Sequence, residues 1–163
     1  MRRQDKALAE RAAIDRIIRE APYCHLACSL DDRPYLIPIS FGYDGQTVYV
    51  HTAPEGRKID IFQANPRVCL AFVSQSELVR HPRRACKWSY AYTSALAEGR
   101  IQEISGPEEK LAALNLIMVQ YSGREWDFKD SDLSGMRVWK IPLERVSGKT
   151  SPPPGGQLPS PGG

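Results

Sequence analysis

Four polar side chains lie close together where a predicted strand gives way to a short helix: His51, Thr52, Arg57 and Lys58. Segment 54–56, Pro-Glu-Gly, predicts the turn between the two elements. Arg57 and Lys58 begin the helix, where unpaired backbone N–H groups and the helix dipole favour an anion. Two adjacent cations at such a position suit a phosphate group. We therefore expect this stretch to hold a phosphorylated cofactor, with His51 at the reactive end of the site.

Each of these residues also has a plainer interpretation. His51 could be a strand histidine bonded to a backbone carbonyl, and the two cations could be a solvated helix start. Of the other histidines, His25 lies in an apolar strand, so we expect it in the core or at an interface. His81 precedes a proline in a polar loop, so we expect its side chain to be solvated. The sequence has no HExxH, GxSxG, P-loop or GxGxxG motif, which argues against metal, serine and nucleotide hydrolases.

Composition excludes several classes of partner. The chain has 163 residues and a net charge of +3, which fits one domain and argues against nucleic-acid or membrane binding. Its four cysteines do not have zinc-site spacing, so we expect no metal site. The charged N-terminus does not resemble a signal peptide, and no apolar run has the length of a membrane span. These features favour the cytoplasm.

Strands dominate the elements that must position the candidate site. Asp44-Gly45 is a strong hairpin signal, Pro38 suggests an edge or irregular strand, and Gly99 marks a bend. Helices are predicted over 4–20, 57–64 and 106–121, and strands over 23–30, 35–43, 46–52, 68–73, 87–104 and 136–146, with loops over 74–85 and 126–135. On the third helix, Leu111, Leu114, Met118 and Tyr121 are expected to line the packed face, with Ser105 as its cap.

This order of elements indicates a mainly β protein with flanking helices, built as a small antiparallel barrel. We expect one domain over residues 1–149. Residues 150–163 are rich in proline and glycine, and they predict a disordered tail.

Long segments of the chain resemble the Nim-type nitroimidazole-resistance proteins, a branch of the pyridoxamine 5′-phosphate oxidase-like FMN-binding split barrels. The resemblance covers nearly everything except the tail. Its most specific parts are the HTAPEGRK block, the YTSALAEGR strand and the helix opened by EEK, in that order. It implies a six-stranded antiparallel split β-barrel that forms a homodimer with FMN at the subunit interface.

The resemblance also implies roles for individual residues. Arg57 and Lys58 would bind the FMN phosphate, and His51 would lie at the active site, close to cofactor and substrate. The wider family also places a tryptophan and an arginine near the last strand, and Trp126 and Arg137 lie roughly there. The residues expected to contact the flavin itself are Thr52, Ser94 and the backbone of Pro38, Ile39 and Ser40.

The activity implied is that of an FMN-dependent oxidoreductase. Reduced FMN would pass electrons to a small electron-poor acceptor such as a nitroimidazole or nitroaromatic. Three alternatives stay open: a non-catalytic flavin-binding or flavin-sensing protein, a haem-binding member of the same barrel family with His51 or His25 as ligand, and a pyridoxamine phosphate oxidase.

Overall fold

The computed structural model describes residues 6–151. Along this part of the chain, the strands are β1 (Ala7–Leu8), β2 (Cys24–Leu30), β3 (Arg33–Ile39), β4 (Gly42–Tyr43), β5 (Thr47–Thr52), β6 (Arg67–Val79), β7 (Ser89–Arg100), β8 (Gln102–Ile104) and β9 (Arg137–Ser151). The helices are α1 (Arg11–Glu20), α2 (Arg57–Ala64), α3 (Pro107–Ser122) and α4 (Asp130–Ser134).

All strand pairs are antiparallel, and the sheet runs in the order β3-β2-β6-β7-β9-β5-β4. The short strands β1 and β8 both pair with β9, which is therefore the strand that joins the two halves of the sheet. Between β3 and β4 the path stays open within residues 6–151. This architecture confirms a mainly β split barrel with flanking helices. It has nine strands rather than six, because short strands interrupt or precede the predicted ones.

Two clusters of buried side chains hold the elements together. The larger cluster fills the barrel and includes the α1 stripe Ile14, Ile17, Ile18 and Ala21, as its helical spacing predicts. The smaller cluster packs α3 against the outside of β5, β8 and β9 through Ile104, Ala113, Leu114, Ile117 and Val138. Of the residues predicted to line the packed face of α3, Leu114 is buried and Met118 is half-buried, whereas Leu111 and Tyr121 are exposed.

Local turn signals were reliable. The Asp44 carboxylate accepts hydrogen bonds of 2.7 Å from the backbone N–H groups of Gln46 and Thr47, which fixes the β4–β5 hairpin. Pro38 lies on β3, which ends the sheet path as a proline-containing strand should. The register of β7 against β9 shifts at Gly99, where the expected bend occurs.

Other boundaries were wrong where long-range pairing decides the structure. Residues 7–8 form a strand on β9 rather than helix, and the predicted strand over 35–43 divides into β3 and β4. Strand β6 continues to Val79 through the segment predicted as loop. The last strand continues to Ser151, and the rest of the predicted tail lies outside the described residues.

Two smaller predictions were also wrong. Gly106, not Ser105, caps α3, and no side chain bonds to that end of the helix within the described chain. The acidic loop over 126–135 contains the short helix α4. Leu133 of α4 packs against the cluster that holds α3 on the sheet.

Candidate functional site

The end of β5 is held in place by a buried hydrogen-bond chain. The Trp139 indole N–H donates to Thr52 Oγ1 at 3.0 Å, and the Thr52 hydroxyl donates to the Ala53 carbonyl at 3.0 Å. Thr52 is only 4% exposed, so its hydroxyl proton is used within the protein. The Trp139 ring also packs edge-to-face on Phe62 of α2, with centroids 5.3 Å apart. Trp139 thus fixes the β5 end and α2 relative to each other.

His51 faces the opposite side of β5. Its strand partner is Val138, which belongs to the cluster under α3, whereas Thr52 lies in the barrel. Alternation along a strand requires this separation, so His51 and Thr52 do not line one surface. The His51 side chain stays accessible, yet the surrounding protein lowers its pKa below the ordinary value of 6.5 by desolvation. At neutral pH, His51 is therefore mainly uncharged.

The start of α2 has the predicted form. Gly56 has a φ of +125°, a conformation that glycine adopts readily, and its carbonyl accepts from the Ile59 N–H at 2.8 Å. No side chain of the described residues caps this end of the helix. The N–H groups of Arg57 and Lys58 thus lie in the first turn, where helices lack internal acceptors. Such an end can bind an oxyanion.

Arg57 links this helix start to the edge strand. Its guanidinium lies over the Tyr35 ring at 4.8 Å from the centroid, and Tyr35 belongs to β3. Burial raises the pKa of the nearby Cys28 thiol, and the positive charge of Arg57 partly opposes that rise. Arg57 is therefore directed toward β2 and β3, while Lys58 is half-buried beside it.

The predicted residues at the end of β3 and directly after it are accessible. Pro38 and Ser40 are exposed and Ile39 is half-buried, with its carbonyl accepting a weak bond from the Cys24 thiol at 3.7 Å. The contact of Arg57 with Tyr35 places the start of α2 against β3, the strand that carries Pro38 and Ile39.

Ser94 lies apart from this group. It is half-buried on β7, between Val73 of β6 and Lys149 of β9. Three strand spacings separate β3 from β7, roughly 14 Å in the plane of the sheet. The single chain thus separates Ser94 on β7 from the predicted flavin contacts Pro38 and Ile39 on β3.

The sheet face that carries Ser94 is unusually apolar for a surface. Strand register places Leu36, Val73 and Leu96 on the side opposite the barrel core, and they are 60%, 42% and 51% exposed. Tyr23, just before β2, is 46% exposed. An exposed apolar face of this kind is typical of an interaction surface.

The tryptophan and arginine suggested for the site have different positions. Arg137 lies opposite Thr52 in the β5–β9 pair and contacts Glu103 at 3.3 Å, so it does border the β5 end. Trp126 instead bonds to α3, through its indole N–H to Ser122 Oγ at 2.9 Å. Trp139 had no assigned role from the sequence. Its inward position follows from alternation along β9, but its partner could not be identified from the sequence.

Residues 6–151 contain no group of three or more His, Cys, Asp or Glu side chains placed to hold a metal ion. In the same range, no helix is both long and apolar enough to cross a bilayer.

Comparison with known proteins identifies one family for this chain. The profile of the pyridoxamine 5′-phosphate oxidase family matches residues 10–150. A solved structure from Bacteroides thetaiotaomicron, described as a candidate 5-nitroimidazole antibiotic resistance protein, is 33% identical. It covers 88% of this chain and 85% of its own, with a TM-score of 0.78.

More distant structures share the fold. An FAD and haem binding protein from Mycobacterium smegmatis is 18% identical over 90% of this chain and 73% of its own, with a TM-score of 0.79. A flavocytochrome from Azotobacter vinelandii is 21% identical over 98% of this chain and 78% of its own, also at 0.79. An uncharacterised Rhizobium meliloti protein is 27% identical over 105 residues, and the match spans 62% of each chain.

Proposed function

Because this chain belongs to the pyridoxamine 5′-phosphate oxidase family, we propose that it is an FMN-binding oxidoreductase that reduces a small electron-poor acceptor. The observation that carries the proposal is the start of α2, with two adjacent cations at an uncapped helix end, in a chain 33% identical to the candidate nitroimidazole resistance protein.

The residues present fit a phosphorylated flavin. Arg57, Lys58 and the first-turn N–H groups form a donor set suited to a terminal phosphate. Pro38 and Ile39 are accessible at the end of β3, the strand that Arg57 contacts through Tyr35, and the exposed Ser40 follows directly after them. Thr52 is different, because its buried hydroxyl already donates to Ala53 and accepts from Trp139. We assign Thr52 a positioning role, in which it fixes the turn leading to α2.

A homodimer would account for the position of Ser94 away from the proposed phosphate-binding residues. The exposed apolar face with Leu36, Val73 and Leu96 can be buried by a second copy of the chain. In such a dimer, Ser94 of one subunit can complete the site formed by β3 and α2 of the other. The cofactor would then lie between subunits, and FMN binding would depend on dimer formation.

FMN supplies the redox chemistry when bound. Reduction of a nitro group to a nitroso group takes up two electrons and two protons and releases water. His51 is accessible and mainly neutral at pH 7, so it can pick up a proton from solvent and pass it to the acceptor. The Ser40 hydroxyl orients the ligand. Once the apolar face is buried in the dimer, it excludes water from the bound ligand.

An absorbance titration with FMN followed by anaerobic single-turnover reduction tests this function. We expect flavin bands at one FMN per chain and, after chemical reduction, loss of the nitro absorbance of an added 5-nitroimidazole. A protein that binds no FMN contradicts the proposal. Stoichiometric FMN without acceptor reduction indicates the flavin-sensing alternative, and a Soret band on haem addition indicates the haem-binding one.

A further inference from the structure

A two-stranded arm projects from the sheet. Residues 75–79 of β6 pair with 89–93 of β7, whereas pairing with β2 ends at Phe72 and pairing of β7 with β9 begins at Tyr92. Residues 75–91, here called the arm, therefore lack a third strand in the described chain. A two-stranded ribbon is only marginally stable alone, and its open edges favour docking against another surface.

The tip of the arm, residues 80–88, is strongly basic and structured. It carries Arg80, Arg83, Arg84 and Lys87 and no acidic residue. His81 organises it rather than being merely solvated: its Nδ1 accepts from the N–H groups of Arg83 and Arg84 at 3.3 and 3.1 Å, and its carbonyl accepts from the Trp88 indole at 2.9 Å. The tip thus presents exposed cations in a defined arrangement.

These cations have no ionic partner in the part of the chain that the structure describes. All four side chains are exposed, and no ion pair to any of them occurs among residues 6–151. Trp88 and Tyr90 beside them are 49% and 56% exposed. Arginine and aromatic residues are the types that most often anchor protein interfaces.

The complementary surface lies elsewhere on the same chain. Segment 125–132 holds four carboxylates and a single lysine. Glu125 and Asp127 of this segment border a cleft of about 630 Å³ against α3, and Arg124 is the one cation among the described residues that line it. The Trp126 N–H bonds to Asn115 Oδ1 at 2.8 Å, and the Arg124 guanidinium lies 4.1 Å from the Trp126 ring centroid, which fixes the wall of the cleft.

We propose that the arm of one copy docks its basic tip onto this acidic cleft of a second copy. The inference rests on the proposed homodimer. It assigns that dimer a specific ionic contact, in which Arg83 and Arg84 face Glu125 and Asp127 of the other subunit. Two-fold symmetry makes the contact twice, so each substitution changes two contacts per dimer.

The charge distribution favours a second copy over nucleic acid. Four of the 22 Lys and Arg residues lie in the tip, and the other 18 are offset by 19 Asp and Glu residues. A nucleic acid would therefore contact one small basic patch and no extended basic surface. The local pair of carboxylates, Glu125 and Asp127, instead offers a local charge of opposite sign.

Charge reversal with rescue tests the contact. Arg83→Glu/Arg84→Glu and Glu125→Arg/Asp127→Arg would each raise the dimer Kd by at least about tenfold, because like charges would then face each other. Combining all four substitutions restores attraction with reversed polarity and should return the Kd to within about threefold of the wild type. Sedimentation velocity over a concentration series measures the Kd. Arg16→Glu/Lys110→Glu is the control for a matched change in net charge, because neither residue lies on β3, on the arm or in the cleft lining.

The outcomes separate this contact from the proposed function. Circular dichroism establishes that each variant is folded, and FMN titration of the wild type is run in parallel. A wild type that dimerises and binds FMN, but whose Kd is unchanged by either reversal or is not restored by their combination, overturns the docking contact alone. A wild type that stays monomeric and binds no FMN overturns both proposals.

Discussion

Trp139 and Thr52 are joined by a hydrogen bond of 3.0 Å although they lie 87 residues apart in the chain. The bond connects β9 to the end of β5, and the Trp139 ring continues the contact to Phe62 of α2. The helix start that carries the two adjacent cations is therefore positioned by a residue of the last strand.

Replacing Thr52 by valine should destabilise the fold. The substitution leaves the buried Trp139 indole N–H without an acceptor, which costs about 1–3 kcal/mol. Thr52→Ser keeps the hydroxyl and loses one methyl group, about 0.8 kcal/mol. Urea unfolding measures both free energies. A Thr52→Val variant as stable as the wild type would show that the hydrogen bond contributes nothing to stability.

Removing both cations of α2 should abolish tight FMN binding without unfolding the protein. Each charge-assisted contact to phosphate contributes about 1.5–3 kcal/mol, so Arg57→Ala/Lys58→Ala should raise the FMN Kd by more than about a hundredfold. Flavin fluorescence quenching gives the Kd, and Arg16→Ala/Lys110→Ala controls for lost charge. An FMN Kd close to that of the wild type would place the phosphate elsewhere.

His51 should titrate below pH 6.5. Desolvation lowers its pKa in the folded protein, so the unfolded state binds more protons as pH falls below the ordinary value. His51 therefore contributes a loss of stability on acidification, beginning near pH 6.5, which His51→Ala removes. An NMR pH titration measures the His51 pKa, and the His51 resonance is assigned as the one that is absent from the spectrum of His51→Ala. A midpoint at or above 6.5 would contradict the desolvated environment.

His51→Ala should also impair turnover while FMN remains bound. The histidine faces away from Thr52, and the proposed phosphate contacts lie on α2. We expect the rate of acceptor reduction to fall about 10²–10⁴-fold if His51 transfers the proton, with the FMN Kd unchanged. Stopped-flow reoxidation of the flavin measures this rate. Unchanged reoxidation would leave His51 with a structural role only.

Gly42→Ala should be strongly destabilising. An added Cβ would lie 2.6 Å from the backbone N of Ile117 and C of Leu116, so α3 would have to move away from β4. We expect a loss of about 1–3 kcal/mol. Gly135→Ala is the matched control, because no heavy atom lies within 4 Å of its added Cβ. Thermal unfolding of the two variants compares them directly, and similar midpoints would show that α3 adapts freely.

The sequence by itself determined the features that depend on neighbouring residues. Asp44-Gly45 fixed the hairpin, segment 54–56 placed the turn before α2, and Pro38 marked the edge strand. Each depends on backbone preferences or on bonds spanning a few residues, which a local pattern can reveal. The helical spacing of the apolar residues in α1 likewise predicted the face that packs on the sheet.

Only the tertiary structure decided how these features combine. It buried the Thr52 hydroxyl against Trp139, turned His51 to the opposite side of β5, and placed Ser94 three strands away from Pro38. It also extended β6 through a segment predicted as loop. Pairing with β7 supplies backbone hydrogen bonds there, and the polar sequence of the segment does not predict them. Strand register and partner choice depend on residues far apart in the chain, so local sequence preferences do not specify them.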